Sequence, residues 1–405
     1  MRTVLQGPLA GTAGGAIAEQ ALKACVHCGM CNATCPTYQL TGDERDGPRG
    51  RIYMMKQALE GAAPTRLTLD HLDSCLSCRA CETTCPSGVQ YHRLYDVAHA
   101  EIAETVGRSP REHLQRWAIR TLAGSPPLFR LAVTLGRAIR FALPASLKSK
   151  LPPRVVPGPT PGAVHARRML MLGGCVQAAT ATHFNAAMAR ILDRVGVSLM
   201  EAPKAGCCGA LHLHLDAAEA ARAAARTNLD AWAPFLDAGA EAILVNSSGC
   251  AAFLKDYPDL LRDDPAYADQ ASRLAALVRD PVEILARSDL TALRAPAEPR
   301  IAVHEPCTLQ HGLKLTGQIA SLLRNLGYDP QPVADNHLCC GSAGAYSLLQ
   351  PKLSSQLKTN KLAALNASAP AAVYTANIGC WTHLASGDGA PVHHWLEAVD
   401  EVTRP

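Results

Sequence analysis

Two short runs of cysteines with identical spacing are the residues of this chain best suited to chemistry. They consist of Cys25, Cys28, Cys31 and Cys35 before Pro36, and of Cys75, Cys78, Cys81 and Cys85 before Pro86. Each run has the C-x2-C-x2-C-x3-C-P pattern that holds cubane clusters in bacterial ferredoxins. Eight thiols at these intervals exceed what packing requires, and they predict two [4Fe–4S] clusters that move single electrons.

The order of the cysteines also predicts which thiols share a cluster. In two-cluster ferredoxins the fourth cysteine of each run binds the cluster of the other run. The spacing therefore predicts a first cluster bound by Cys25, Cys28, Cys31 and Cys85, and a second bound by Cys75, Cys78, Cys81 and Cys35. A zinc ribbon uses paired C-x2-C sites without the third cysteine and the C-P step, so zinc is the weaker interpretation.

A charged loop separates the two runs. It contains Arg49 and Arg51 in a stretch with several glycines and one proline, followed by a predicted helix that Gly61 closes. The arginines suit either a solvated loop or the neutralisation of anionic clusters, and the sequence does not decide between the two.

The remaining eight cysteines form two further sets with a common pattern. In each set a cysteine is followed by Cys-Cys-Gly and then by one more cysteine: Cys175, Cys207, Cys208 and Cys250, then Cys307, Cys339, Cys340 and Cys380. A disulfide between adjacent cysteines is strained. Because both sets keep four cysteines, we favour a metal, cluster or redox role over buried cysteines that act as small apolar residues.

The second half of the chain is a repeat. Cys175 and Cys307 differ by 132 positions (307 − 175), and both Cys-Cys-Gly motifs keep that offset. Short apolar runs end at cysteines and alternate with helical stretches, which predicts mainly parallel sheets. We therefore expect an α/β protein whose predicted units are a helical two-cluster ferredoxin-like domain (1–100), a basic helical segment with a proline-rich linker (101–164) and two homologous α/β domains (165–290 and 295–405).

The charge of the chain is unevenly distributed. The net charge is +4, yet Arg108 to Arg168 contains twelve Lys or Arg and one acid, so the rest of the chain is about −7 (4 − 11). Within this segment, Arg130, Arg137 and Arg140 fall on one side of a predicted helix from 128 to 143, and its leucines fall on the other. Such a helix suits either an anionic membrane surface or a partner subunit.

Several classes of protein are disfavoured. No secretory signal or apolar run long enough to cross a bilayer is evident, which predicts a cytoplasmic protein, peripheral to the membrane at most. The chain has no dinucleotide-binding or Walker motif, and no aromatic residues are interleaved with the basic ones as in nucleic-acid binding. We expect no nucleic-acid partner and no flavin on this chain.

The Cys-Cys-Gly sets resemble the cysteine-rich CCG domain of heterodisulfide reductase-like proteins, with one departure. That family closes its motif with Cys-x-x-Cys, whereas this chain has Ser247-Ser-Gly-Cys250 and Asn377-Ile-Gly-Cys380. The unusual non-cubane cluster of the family is therefore not expected to transfer directly, although four thiols remain in each domain.

From about residue 20 to 400 the chain resembles the iron–sulfur subunits of bacterial glycolate oxidases. The matching segments begin at Ala24, Cys35, Gly47, Cys81, Cys339 and Thr375. The resemblance implies an electron-transfer subunit, with no catalytic residue of its own, in an oxidoreductase complex. FAD on partner subunits would oxidise glycolate to glyoxylate, and this chain would pass the electrons toward a quinone or another acceptor. The alternatives are the iron–sulfur subunit of an anaerobic glycerol-3-phosphate dehydrogenase and a heterodisulfide-reductase-like thiol catalyst.

Overall fold

The structure is a computed structural model that describes residues 1–142, 151, 155–290, 295 and 298–403. The predicted linker lies partly outside the described residues, since 152–154 are not among them. The predicted end of the basic helix at Leu143 and the boundary at 291–294 also lie outside them.

The N-terminal part is helical and is built around the two cysteine runs. Its helices are α1 (Ala13–Ala24), α2 (Pro36–Thr41), α3 (Pro48–Leu59), α4 (Arg66–Asp73), α5 (Ala80–Thr84) and α6 (Tyr91–Val106). The predicted helix before Gly61 thus begins at Pro48, where a proline at the first helical position costs no hydrogen bond. Apolar side chains from α1, α3, α4 and α6, including Leu22, Met55 and Leu94, form one core beneath the cysteines.

Two helices follow as a hairpin, α7 (Pro110–Gly124) and α8 (Pro126–Ala138). Ser109 caps α7 in a capping box with Glu112. Helix α7 ends at Gly124, and α8 begins at Pro126 after the single residue Ser125. The helix is interrupted there because proline has no backbone N–H to donate within a continuous helix. The segment predicted to be helical is therefore split in two.

The C-terminal part contains two four-stranded parallel sheets. The first sheet has the order β2-β1-β3-β4 and is formed by β1 (Arg167–Met171), β2 (Val197–Glu201), β3 (Ile243–Leu244) and β4 (Val278–Arg279). The second has the order β6-β5-β7-β8 and is formed by β5 (Arg300–His304), β6 (Asp329–Gln331), β7 (Ala372–Thr375) and β8 (Val392–His394). The α/β fold class and the parallel sheets predicted from the sequence are confirmed.

Helices cover both faces of these sheets. In the first unit they are α9 (Gln177–Thr180), α10 (Thr182–Arg194), α11 (Ala210–Leu213), α12 (Ala218–Asp237), α13 (Ser248–Lys255), α14 (Tyr257–Leu260), α15 (Ala268–Leu277) and α16 (Pro281–Leu285). In the second they are α17 (Gln318–Asn325), α18 (Tyr346–Leu349), α19 (Pro351–Asn366), α20 (Ile378–Leu384) and α21 (Trp395–Thr403). Helices α12 and α19 are among the helical stretches that the sequence predicts between the apolar runs.

Alternation along the strands divides the apolar side chains between two faces. Met169 and Met171 join Ile301 and Val303 in one core shared by both sheets. Leu170 and Leu172 point to the other face of the first sheet, and Ala302 to the other face of the second. Each sheet thus shares one face with its repeat and turns the other toward its own cysteines.

In the part of the chain that the structure describes, no helix is both long enough and apolar enough to cross a bilayer.

Candidate iron–sulfur and metal centres

The first run of cysteines lines a cavity that a cysteine of the second run completes. The first cavity is lined by Cys25, Cys28, Cys31 and Cys85, and also by Cys81, and has an empty volume of about 430 Å³ that is partly open to solvent. The run can wrap around this space because His27 and Gly29 have positive φ angles of 57° and 81°. A short 3-10 turn, Met30–Thr34, then carries the chain from the third cysteine to the fourth.

The second cavity has the reciprocal composition. It is lined by Cys75, Cys78, Cys81 and Cys35, and its empty volume is also about 430 Å³. Ser77 and Arg79 have positive φ angles of 50° and 62°, which repeats the loop geometry of the first run. The fourth cysteine of each run therefore lines the cavity of the other run.

The two cavities share a wall. Pro48, Cys81 and Tyr91 line both of them, and Tyr91 Oη donates a hydrogen bond to Cys75 Sγ at 3.7 Å. Tyr91 was not among the sequence-predicted residues, and no spacing signal distinguishes it from other tyrosines. The shared wall places the two sets of thiols in adjacent compartments.

The two arginines of the loop have different environments. Arg51 is buried, lines the second cavity and places Nη1 4.0 Å from Cys35 Sγ. Arg49 lines the first cavity but is partly exposed and pairs with Glu44. Arg51 thus acts as a buried cation beside the thiols, which is one of the two roles left open by the sequence.

Burial keeps several of the cavity thiols protonated in the absence of a metal. It raises the pKa of Cys31 to about 11 and raises the pKa values of Cys78 and Cys81 well above their ordinary range. A metal or cluster binds thiolates, so its binding must release these protons.

The second Cys-Cys-Gly unit brings its four cysteines together. Cys307 Sγ lies 3.8 Å from Cys339 Sγ, and Cys340 Sγ lies 3.4 Å from Cys380 Sγ. The thiols of Cys339 and Cys340 also interact, so the four form a continuous row. In the described structure all four are free thiols.

The first unit groups its cysteines in the same order. Cys207 is the hydrogen-bond partner of both Cys175 and Cys208, which lowers the pKa of Cys207 well below its ordinary value. Cys208 in turn interacts with Cys250. Three of the four, all except Cys250, are buried.

The glycine of each Cys-Cys-Gly motif is required by the backbone. Gly341 has a φ of +89°, and a Cβ there would lie 2.7 Å from the carbonyl oxygen of Ser354. Gly209 has a φ of +96° and a corresponding contact of 3.1 Å with Ala221 O. Each glycine also directs its N–H toward the sulfur of the first cysteine of the pair, Cys339 or Cys207.

Ser247 and Asn377 stand where the related family has the first cysteine of its closing Cys-x-x-Cys motif, and they lie at the starts of helices. Asn377 accepts a hydrogen bond from Gly379 N at 2.8 Å and caps α20. Its Nδ2 donates to Ser248 Oγ at 3.3 Å, which joins the two units. Ser247 is the N-cap residue of α13 in the first unit, where it is buried and makes no side-chain capping hydrogen bond.

The second unit lies directly against the second cavity. Leu76, Cys339, Tyr346 and Leu357 form an apolar cluster against which Cys78 and Cys307 also pack. Tyr346 Oη donates to Ser74 O at 3.2 Å, next to Cys75. The first cavity, the second cavity and the thiols of the second unit thus form an uninterrupted series.

Comparison with protein families identifies the two kinds of module. Residues 21–89 match the 4Fe-4S dicluster domain, and residues 169–255 and 301–385 each match the cysteine-rich CCG domain. The chain is thus an iron–sulfur protein that combines a dicluster domain with two cysteine-rich domains.

Individual relatives define the family more closely. The chain is 48% identical over 402 residues, 99% of each chain, to the glycolate oxidase iron-sulfur subunit of Escherichia coli. It is 29% identical to the probable glycolate oxidase iron-sulfur subunit of Bacillus subtilis, covering 91% of this chain and 89% of the relative. Lactate utilization protein A of Bacillus licheniformis is 26% identical over half of this chain. The chain belongs to the family of glycolate oxidase iron–sulfur subunits, which confirms the resemblance and favours it over both alternatives.

Proposed function

We propose that this chain is the electron-transfer subunit of a complex that oxidises glycolate to glyoxylate, and that it carries electrons from flavin on partner subunits toward a quinone or another acceptor. The observation that carries the proposal is the pair of adjacent four-thiol cavities. Two centres with a shared wall suit the relay of single electrons, whereas one isolated site would not.

The first cavity would hold a [4Fe–4S] cluster on Cys25, Cys28, Cys31 and Cys85, and the second a cluster on Cys75, Cys78, Cys81 and Cys35. Such clusters accept and release one electron at a time when bound. The donor sets fit, because each cavity presents the four thiols of its predicted set, with Cys81 lining both, and no carboxylate among its lining residues.

The surrounding residues prepare these sites for an anionic group. Arg51 places a buried positive charge beside Cys35, and Thr37 and Ser74 hold its guanidinium through hydrogen bonds of 3.2 and 2.7 Å. The apolar core beneath the cysteines excludes water from one side of both cavities. Hydrogen bonds and burial of this kind set the reduction potential of a cluster.

Glycolate itself would be oxidised elsewhere in the complex. Removal of hydride from a 2-hydroxy acid delivers two electrons, which a flavin accepts together and then releases singly. The chain has no dinucleotide-binding motif, and its relatives are named as iron–sulfur subunits. We therefore assign the flavin to partner subunits.

The complex, purified without oxygen, provides the test. Glycolate should reduce the clusters of this chain, seen by electron paramagnetic resonance (EPR), when the flavin subunits are present and not when the chain is alone. Absence of cluster reduction in the intact complex would contradict the proposal. Turnover of a disulfide substrate by the isolated chain would favour the thiol catalyst instead.

A second element of the proposal is contact with an anionic membrane surface through the hairpin of α7 and α8. Large apolar side chains on this hairpin and on the turn that follows it are exposed: Leu114, Trp117, Leu122, Leu128, Leu131, Leu135, Ile139 and Phe141. Arg111, Arg130 and Arg140 of the same segment are exposed as well. Exposed tryptophan, leucine and arginine on such helices suit the boundary of an anionic bilayer.

Sedimentation with vesicles tests this contact. Replacing Leu131 and Leu135 by serine should reduce binding of the complex to vesicles rich in anionic lipid, and high salt should reduce binding of the wild type. Leu67→Ser is the matched control, because Leu67 is equally exposed but lies outside the hairpin. If binding is unchanged while the flavin subunits dissociate, the surface belongs to a partner subunit.

A further inference from the structure

The second cysteine-rich unit contains a nitrogen donor beside its thiols that the first unit lacks. A ring nitrogen of His304 and the sulfurs of Cys340 and Cys380 all lie within 4.8 Å of one another, and all three residues are buried. We propose that His304 Nε2, Cys340 and Cys380 bind iron in a mixed nitrogen–sulfur centre, which extends the series of centres in the proposed function and rests on it.

The hydrogen bonding of His304 supports a ligand role. Its Nδ1 pairs with Thr375 Oγ1 at 2.9 Å, and the ring is 1% exposed. Its Nε2 is buried without a hydrogen-bond partner. A buried polar nitrogen without a partner is costly, and an Nδ1–H bond to Thr375 leaves the lone pair on Nε2 free to bind a metal.

A buried cation lies beside the same thiols. Lys361 is 4% exposed, and its charge interacts with Cys340, Cys339 and Cys307. Its Nζ donates to the carbonyl oxygen of Asp335 at 2.7 Å, and among the described residues it forms no salt bridge. A buried lysine without a salt bridge among the described residues suits an anionic centre of metal and several thiolates.

The repeat provides an internal comparison. At the 132-residue offset, Leu172 takes the place of His304, and Leu229 takes the place of Lys361. Both leucines belong to the apolar core that packs against Cys208. Later in the repeat the offset is 130, as between Cys250 and Cys380, and Val245 occupies the position of Thr375. The ligand, its hydrogen-bond partner and the cation are therefore all specific to the second unit.

The neighbours of the centre favour iron over zinc. Cys307 and Cys339 continue the row of thiols from Cys340 and pack with Cys78 of the second cavity. A centre in that position lies where an electron leaving the second cavity would pass. A neutral histidine in place of a thiolate raises the potential of an iron centre, which would draw electrons in this direction.

The experiment uses the full chain purified anaerobically with 15N-labelled or unlabelled histidine. Iron should exceed the content of about eight per chain that two cubanes supply. Pulsed EPR should detect a histidine nitrogen coupled to a paramagnetic iron centre. His304→Leu, which reproduces Leu172, should remove this coupling and the additional iron while the signals of the two cubanes persist.

His183→Leu is the matched control, because His183 is also buried with an unpartnered ring nitrogen, Nδ1, but is not grouped with cysteines. The control should keep the coupling. Zinc in place of the additional iron, or no histidine coupling in the wild type, would overturn the inference. Neither result would affect the two cubanes, whose own absence would contradict the proposed function instead. The wild-type measurement decides the question even if a variant does not fold.

Discussion

Arg51 Nη1 lies 4.0 Å from Cys35 Sγ, and the Arg51 side chain is buried. The guanidinium also bonds Ser74, the residue before Cys75, and its Nη2 lies 3.7 Å from Asp46. One arginine therefore connects the last cysteine of the first run to the start of the second. This explains how residues distant in the sequence converge on the second cavity.

Replacing Arg51 by methionine should lower the reduction potential of the centre in the second cavity, because the added electron loses a nearby positive charge. It should also destabilise the fold by roughly 3 to 5 kcal/mol, since the buried partners lose their donor. Potentiometric EPR titration measures the first effect and chemical denaturation the second. Arg51→Lys keeps the positive charge but not the planar set of donors of the guanidinium, so its reduction potential should lie close to that of the wild type. An equal fall in the reduction potential of both variants would contradict a role for charge.

Crossed ligation makes a separate prediction. Cys85→Ser should remove the centre of the first cavity, although Cys85 belongs to the second run, and Cys35→Ser should remove that of the second cavity. Arg49→Gln should shift the signal of the centre in the first cavity and Arg51→Met that of the centre in the second, which identifies the two EPR signals. If Cys85→Ser abolished the signal sensitive to Arg51, the assignment of ligands would be wrong.

The Cys-Cys-Gly glycine should tolerate no side chain. Gly341→Ala forces a positive φ on alanine and a Cβ at 2.7 Å from Ser354 O, so we expect a loss of roughly 3 kcal/mol and displacement of Cys339 and Cys340. Gly317→Ala is the control, because Gly317 has a φ of +77° with no atom near its Cβ position. Gly317→Ala should lower the free energy of unfolding by about 1 kcal/mol. Equal losses would mean that backbone strain alone, and not the contact with Ser354, determines the effect.

Burial gives Asp280 a pH-dependent effect on stability. Burial raises its pKa to about 7 from the ordinary 3.8, with Glu283 adding repulsion, and its Oδ1 accepts from Val282 N at the start of α16. The folded chain retains this proton where the unfolded chain has lost it. Stability therefore falls as the pH rises from about 4 to about 7 and is level above that range.

Asp280→Asn keeps a side-chain oxygen that can cap α16, but it removes the carboxyl group that titrates. Its stability relative to the wild type should rise across that range by on the order of 2 to 4 kcal/mol, as measured by anaerobic denaturation. Asp269→Asn is the control, because Asp269 is exposed. A difference between Asp280→Asn and wild type that does not change with pH would show that the carboxyl is ionised throughout.

The sequence predicts most of the local structure and little of the assembly. Cysteine spacing indicates both cavities, and the apolar runs ending at Cys175, Cys250, Cys307 and Cys380 indicate four of the strands. The contacts of Tyr346 with Ser74 and of Cys78 with Cys307 join segments more than 200 residues apart, and no periodicity encodes them. The role of Asn377 as a helix cap that bridges to Ser248 was also not evident, since the sequence shows only that a cysteine is absent.

A shielded ion pair joins the dicluster part to the first cysteine-rich unit. Arg79, which adjoins Cys78, forms a bidentate pair with Asp256, and Arg93 donates to Asp259 at 2.6 Å nearby. Both members of the Arg79 pair are less than 20% exposed, so water screens their attraction only weakly. Arg79→Gln and Asp256→Asn should each destabilise the chain, and their double-mutant cycle should show coupling of about 1 to 3 kcal/mol.

Arg93→Gln combined with Asp259→Asn provides the comparison, because that pair is more exposed and should couple more weakly. Limited proteolysis should release the N-terminal part faster from the Arg79 variant than from the Arg93 variant. Additive effects of Arg79→Gln and Asp256→Asn, together with unchanged proteolysis, would mean that the apolar cluster around Tyr346 holds the N-terminal part in place without help from this pair.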